Sequence, residues 1–373
     1  MAAKEKIKYL DLIRAISCVI IVFFHYSYTF YEYAIPGKGT DFLRFTNGDW
    51  GGIFVAIFFM ISGAALWYNH TGPFGIKGIF NFYKKRALSI YPYFYTAWVI
   101  MYVINSRKLG IWDWGGPKSN YLFTLFGMDG YFSYLGQNYY CLGEWFLGAI
   151  IWLYLLYPLL AFAFRKFRWP STAILTFLYV FNLYRNNFSS SPDSNIFIVF
   201  IKYYNSHTLI SDNMCIWTCM MNFWLGMLFV TYRQKIIKLW IAVLSAVSIV
   251  FLTIVPVALP KIIVSTIMAF AFCLIFSYIS NRFDFPSEDS IPNTVIKFLS
   301  KYSYGIFLVH HVILYAVMEK FRYMTFNRLT AFLLFIPILA LISVVGAALI
   351  QSVSALLQIC SRLLPAKEKA VNK

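Results

Sequence analysis

Ten long apolar segments, separated by short polar stretches, make up most of this chain. Each is about 20 residues long, which is the length that an α-helix needs to cross the hydrocarbon core of a bilayer. The segments lie near residues 10–30, 50–68, 87–105, 144–164, 170–186, 214–231, 239–257, 261–280, 302–319 and 329–357. This pattern predicts an all-α polytopic membrane protein with about ten transmembrane helices. We expect residues 1–373 to form a single membrane-embedded domain.

Composition and charge agree with that class. Hydrophobic residues are 60% of the 373 and charged residues only 13%, about half the charged share of a typical soluble domain. The net charge is +17, but no basic run with interleaved stacking residues stands apart from the apolar segments, so no nucleic-acid partner is expected. Instead, 21 of the 32 lysine and arginine residues lie on the side that would hold both termini. The positive-inside rule therefore predicts that both termini are cytoplasmic.

The six cysteines are scattered, mostly within apolar segments, and they form no CxxC pair. No Cys/His set has the spacing of a zinc site along the chain. We therefore expect neither a disulfide framework nor a metal site from the sequence.

The first segment carries three ionisable groups in an apolar background: Asp11, Arg14 and His25. Eleven positions separate Arg14 from His25, which is about three full helical turns, so both side chains lie on one face roughly 16 Å apart. Asp11 precedes Arg14 at i,i+3 spacing, where the two charges can neutralise each other. Ionisable groups inside a membrane are candidates for function.

Each of these groups also has a purely structural interpretation. His25 is matched to general-base work at neutral pH, but a histidine can also be a hydrogen-bonding residue between helices. Arg14 suits a phosphate ligand, but it can equally be a topology anchor paired with Asp11. A transporter of a glycan or small anion, with Arg14 and His25 along its pathway, is the alternative function; no internal repeat supports it.

The opening YLDLIRAISCVIIVFFH resembles the first span of acyltransferase family 3, integral membrane enzymes that O-acylate sugars. Three later stretches resemble motifs of that family in the same order: IFFMISGAAL (57–66), EWFLGAIIWLYLLYP (144–158) and KYSYGIFLVHH (301–311). The resemblance implies transfer of an acyl group, usually acetyl from acetyl-CoA, to a sugar hydroxyl outside the cytoplasm. The expected partners are acyl-CoA, a surface polysaccharide or lipid-linked sugar, and membrane lipid. No permanently bound cofactor is expected, and a bacterial plasma membrane is the expected location.

Carried onto this chain, the family motifs imply two catalytic histidines, His25 and His310. Adjacent helical positions diverge by about 100°, so we expect only His310 of the pair to face the site and His311 to be structural. Arg14, Lys85 and Arg86 are the candidate ligands of the CoA phosphates, although Lys85 and Arg86 can equally be determinants of membrane topology. The chain departs from the family's RxxR pair, because Ser89 follows Arg86 where a second arginine is usual.

Further polar residues are candidates for acceptor contacts. Asp11, Ser62 and Glu144 are assigned to substrate binding, although Ser62 next to Gly63 also suits close helix packing. Glu144 and Asp129 could each assist an acceptor or be a solvated loop charge. The tryptophans and tyrosines of the predicted outer loops suit an interfacial aromatic belt or a cleft that stacks on sugar rings.

Overall fold

The computed structural model describes residues 7–36, 43–70, 72–143, 145–189, 214–285, 287 and 290–363. Its helices are α1 (Lys8–Glu32), α2 (Trp50–Asn69), α3 (Ile76–Leu109), the short α4 (Tyr121–Leu125), α5 (Trp145–Lys166), α6 (Arg168–Ser189), α7 (Ile216–Ile236), α8 (Leu239–Ile254), α9 (Lys261–Arg282), α10 (Ile291–Met318) and α11 (Arg328–Leu363). Two strands, β1 (Arg44–Phe45) and β2 (Gly48–Asp49), form an antiparallel hairpin.

Every predicted apolar segment coincides with one of the described helices. Seven of the described helices are long and apolar enough to cross a membrane, and α8 is a shorter apolar helix. The prediction of an all-α polytopic membrane protein is confirmed, whereas the orientation of the termini stays a prediction. Helices α3 and α10 begin about eleven residues before the predicted segments, at Ile76 and Ile291. Hydropathy misses these turns because they are helical but polar.

Helix α1 lies between α2 and α10 and also contacts α9, while α2 packs along α7. Glycines bring α2 and α7 together. A Cβ on Gly63 would lie 2.0 Å from the carbonyl oxygen of Phe223, and one on Gly226 would lie 1.8 Å from that of Met60. The two backbones therefore touch directly, as small residues permit in membrane helices.

Replacing Gly63 by alanine should destabilise the protein, because the added methyl group must push the two helix backbones apart. We expect a loss of at least about 2 kcal/mol, measured as a lower melting midpoint of the purified protein in detergent. Gly78→Ala in α3 is the matched control. The nearest atom to its Cβ is a side-chain carbon of Phe74 at 3.8 Å, so alanine there should only add helix propensity. Equal melting of the two variants would contradict the close packing.

The hairpin sits at the start of α2 and is fixed at both sides. The carboxylate of Asp49 accepts a 2.7 Å hydrogen bond from the amide of Gly52 and so caps α2. The side-chain amide of Asn47 donates to the carbonyls of Leu252 and Val255, both at 2.6 Å. These contacts hold the hairpin against the end of α8.

The aromatic residues of the loop between α3 and α5 pack mostly on one another. Tyr139 is fully buried, stacks on Tyr121 with ring centroids 4.0 Å apart, and contacts the edge of Trp114. Asp129 is also fully buried in this loop, so the interpretation of a solvated loop charge is wrong. Burial raises the pKa of Asp129 to about 6, against a weaker opposing effect of the nearby Thr124 hydroxyl and Tyr139 amide.

Asp129→Asn should stabilise the protein at neutral pH. The carboxyl pKa is higher in the folded protein than the ordinary value of 3.8, so the wild type loses stability as pH rises from about 4 to 6, by about 3 kcal/mol. The asparagine side chain cannot ionise, so the stability of the variant should not fall over this pH range. Melting midpoints of both proteins between pH 4 and pH 8 test this. A variant that melts lower than wild type at pH 7.5 would contradict it.

Candidate active site

A cavity of about 510 Å³ runs through the centre of the helix bundle. At one end it reaches Arg14 near the start of α1, His70 just after α2, and residues 85–90 of α3; at the other it reaches His25. We call it the inner cavity. Six of the eight predicted site residues line it: Arg14, His25, Ser62, Lys85, Arg86 and His310.

A second cavity of about 700 Å³, the outer cavity, opens at the opposite end of α1. Its lining includes His25, Tyr28 and Tyr31 from α1, together with Arg44 and Asp49 of the hairpin. The two cavities share four lining residues: Ile21, His25, Val55 and Trp145. His25 is the one ionisable residue among those four, so it stands where the cavities meet.

At the end of the inner cavity opposite His25, contacts with Asp11 and Ser300 hold Arg14 in place. Its guanidinium Nη1 lies 3.5 Å from Asp11 Oδ1 and 3.3 Å from Ser300 Oγ. The Ser300 hydroxyl in turn donates to Asp11 Oδ1 at 2.7 Å. Asp11 therefore supports Arg14 from behind rather than lining the cavity, and its predicted contact with substrate stays untested.

Arg86 and Lys85 reach the same end of the cavity from α3. The Arg86 guanidinium lies over the rings of Tyr154 and Phe82, with centroids 5.7 and 5.9 Å away. Its Nε is buried and has no hydrogen-bond partner among the described residues. Ser89, at the position of the second arginine of the family motif, also lines the cavity but donates its hydroxyl to the carbonyl of Arg86.

Three histidines, His25, His310 and His311, lie close together in the inner cavity. Its ring centroid lies 5.2 Å from that of His310 and 4.1 Å from that of His311, and the latter two are 4.3 Å apart. His310 Nδ1 lies 2.7 Å from the carbonyl oxygen of Phe307. Because a carbonyl only accepts, Nδ1 carries the proton and Nε2 carries the lone pair. That Nε2 is buried without a partner among the described residues.

The expectation that only one of the adjacent histidines faces the site is wrong, because His310 and His311 both line the inner cavity. Both rings lie close to His25 of α1, with centroids 5.2 and 4.1 Å away, so a divergence of 100° still leaves both at the cavity. Gly143 makes the space for His311. It has a φ of +76°, and a Cβ there would lie 2.3 Å from His311 Cδ2.

Gly143→Ala should displace His311 and strain the loop, since alanine is disfavoured at positive φ. We expect at least a tenfold loss of activity, with a fall in melting midpoint. Gly110→Ala is the control that separates the contact with His311 from the backbone strain of alanine at positive φ. Gly110 has a φ of +71° with no atom within 4 Å of its Cβ, so its variant should lose about 1–2 kcal/mol and keep its activity. If both variants lose activity equally, the contact with His311 is not the cause.

The remaining predicted residues fall in different places. Ser62 lines the inner cavity and donates its hydroxyl to the carbonyl of Phe58 at 2.8 Å. Glu144 lies outside the described residues. His70, which is not among the candidates from the sequence, also lines the inner cavity. Its position after α2 gives no sequence signal, because the cavity joins helices far apart in the chain.

The fold and the site together are those of a multi-pass helical membrane protein in which a histidine lies between two cavities. Comparison with known protein families identifies the kind of membrane protein. The family model described as an acyltransferase domain matches residues 7–351. The chain therefore belongs to acyltransferase family 3 and is a membrane acyltransferase. No curated protein and no solved structure matches the chain.

Proposed function

We propose that this protein moves an acyl group, acetyl by preference, from cytoplasmic acyl-CoA to a sugar hydroxyl of an extracytoplasmic polysaccharide or lipid-linked glycan. The observation that carries the proposal is the meeting of the inner and outer cavities at His25. A donor and an acceptor that approach from opposite sides of a membrane need such a shared point. Family membership favours transfer over the transport of a glycan or anion.

The donor would occupy the inner cavity with its phosphates at the Arg14 end. Three cations lie there, Arg14, Lys85 and Arg86, and guanidinium groups bind phosphate oxygens through paired hydrogen bonds. The buried Nε of Arg86 is a donor that a phosphate oxygen would satisfy. The apolar walls between this end and His25, which include Phe58, suit the pantetheine arm, which is roughly long enough to span the 16 Å between Arg14 and His25.

His25 would act as the general base. Its imidazole takes the proton of the sugar hydroxyl while the oxygen attacks the thioester carbonyl carbon. The new C–O ester bond forms, the C–S bond breaks, and the imidazolium returns the proton to the departing CoA sulfur. His310 presents its Nε2 lone pair inside the same cluster and is placed to orient His25. A covalent acyl-histidine route uses the same residues.

The acceptor would enter through the outer cavity. Tyr28 and Tyr31 are 40% and 71% exposed there, and aromatic faces suit the apolar faces of sugar rings. Arg44 adds hydrogen-bond donors for ring hydroxyls. Trp145 lines both cavities and would contact the sugar beside the reacting hydroxyl.

Sealed membrane vesicles of known orientation test the proposal. Given labelled acetyl-CoA, inside-out vesicles that carry the protein and its glycan should incorporate label into the glycan fraction. Right-side-out vesicles should not, and vesicles without the protein provide the background. Equal incorporation in both orientations would contradict the cytoplasmic donor site. No incorporation in either, with the glycan present, would contradict acetyl transfer to that acceptor.

A further inference from the structure

We infer that the three histidines at the meeting point of the cavities form a binding site for a first-row divalent cation, with Zn²⁺ the best match. The cluster is His25, His310 and His311. Each offers one ring nitrogen, and those nitrogens all lie within 4.8 Å of one another. The histidines of a tetrahedral zinc site hold the metal at about 2.0–2.1 Å, which separates their nitrogens by about 3.4 Å. Small rotations of the three rings would close that difference.

The hydrogen bonding of His310 is that of a metal ligand. Metal-binding histidines usually donate the second ring N–H to a carboxylate or a backbone carbonyl, which fixes the tautomer and aims the other nitrogen at the metal. Here Nδ1 of His310 donates to the carbonyl of Phe307 at 2.7 Å. The Nε2 that remains belongs to a side chain only 1% exposed and has no partner among the described residues. A cation would satisfy that buried lone pair.

The ligand chemistry selects among metals. Three imidazoles favour zinc, copper, nickel or cobalt over magnesium and calcium, which prefer oxygen ligands. The described residues that line the inner cavity include no carboxylate, so Mg²⁺ and Ca²⁺ lack the anionic oxygen ligands on which their protein sites depend. Three protein ligands leave a fourth position open, and here it would face the cavities that His25 lines.

Sequence spacing could not indicate this site. His25 lies on α1 and the other two histidines on α10, 285 positions further along the chain. A bound ion would occupy the same lone pair that His25 needs in order to act as the general base. A bound cation and proton transfer by His25 therefore exclude each other, so the site would be one at which metal blocks the reaction.

Metal binding by the purified protein tests the inference without any activity measurement. We would titrate untagged wild type in detergent with Zn²⁺ by equilibrium dialysis, and with Co²⁺ to record the intense visible bands of a tetrahedral site. The expected result is one ion per chain. Single alanine variants of His25, His310 and His311 should each weaken binding by more than tenfold.

Two variants of the inner cavity serve as controls. His70→Ala removes a histidine at the opposite end of the same cavity, and Cys18→Ser removes a thiol that lines it; both should bind the metal as wild type does. Size-exclusion profiles and melting curves without metal show which variants fold, and His311→Gln replaces His311→Ala if the latter does not. Absence of stoichiometric binding, or binding that survives loss of the three histidines, would overturn the inference. Neither result would bear on acyl transfer, so this inference and the proposed function fail separately.

Discussion

Replacing His25 by alanine should lower acyl transfer by about 10²- to 10⁴-fold, which is the usual contribution of a general base. The structure makes this the largest effect that we expect in the chain. Among the described residues, His25 is the one ionisable side chain that lines both cavities, so it is the proton acceptor that both proposed substrates can reach. His310 and His311 line only the inner cavity.

The measurement is label transfer from acetyl-CoA to glycan in inside-out vesicles, with wild-type and variant protein at matched amounts. His25→Gln is the matched companion variant, since it keeps a polar side chain of similar reach but cannot serve as a base at neutral pH. Both variants should be inactive and should melt near the wild-type temperature. If His25→Gln keeps more than a tenth of the wild-type rate, His25 positions a substrate rather than taking its proton.

The general form of the molecule follows from the sequence because it depends on local periodicity. A helical repeat of about 100° per residue places Arg14 and His25 on one face, and both line the inner cavity. Hydropathy likewise finds each long helix. These predictions need only neighbours along one helix, and a single sequence contains that information.

The rest of the site depends on contacts between segments distant in the chain. His311 faces the cavity because Gly143, 168 positions earlier, adopts a positive φ and leaves room for its ring. Asp129 is buried because the loop between α3 and α5 folds on its own aromatic residues, which Tyr139 and Tyr121 show by their stacking. Periodicity along the chain contains no information about such packing, so the sequence alone predicted the wrong surroundings for His311 and Asp129.

Arg14→Ala should raise the KM for acyl-CoA by about ten- to a hundredfold and leave kcat nearly unchanged. A hydrogen bond to a charged group contributes about 1.5–3 kcal/mol, which corresponds to that range of affinity. Arg14 lies roughly 16 Å from His25 along α1, so it can hold the phosphate end of the donor without touching the reacting atoms. A variant that loses kcat at unchanged KM would instead place Arg14 in the reaction.

The contacts of Arg14 make a control necessary, because its removal also breaks the ion pair with the carboxylate of Asp11. Asp11 keeps the hydrogen bond from Ser300 in that variant, but the loss of the ion pair with Arg14 can distort the start of α1. Arg14→Ala combined with Asp11→Asn removes both charges together. If the high KM reflects lost phosphate binding, the double variant will show it as well. If it reflects distortion caused by the broken ion pair with Asp11, the double variant will recover the wild-type KM, and the donor site must then be sought around Lys85 and Arg86.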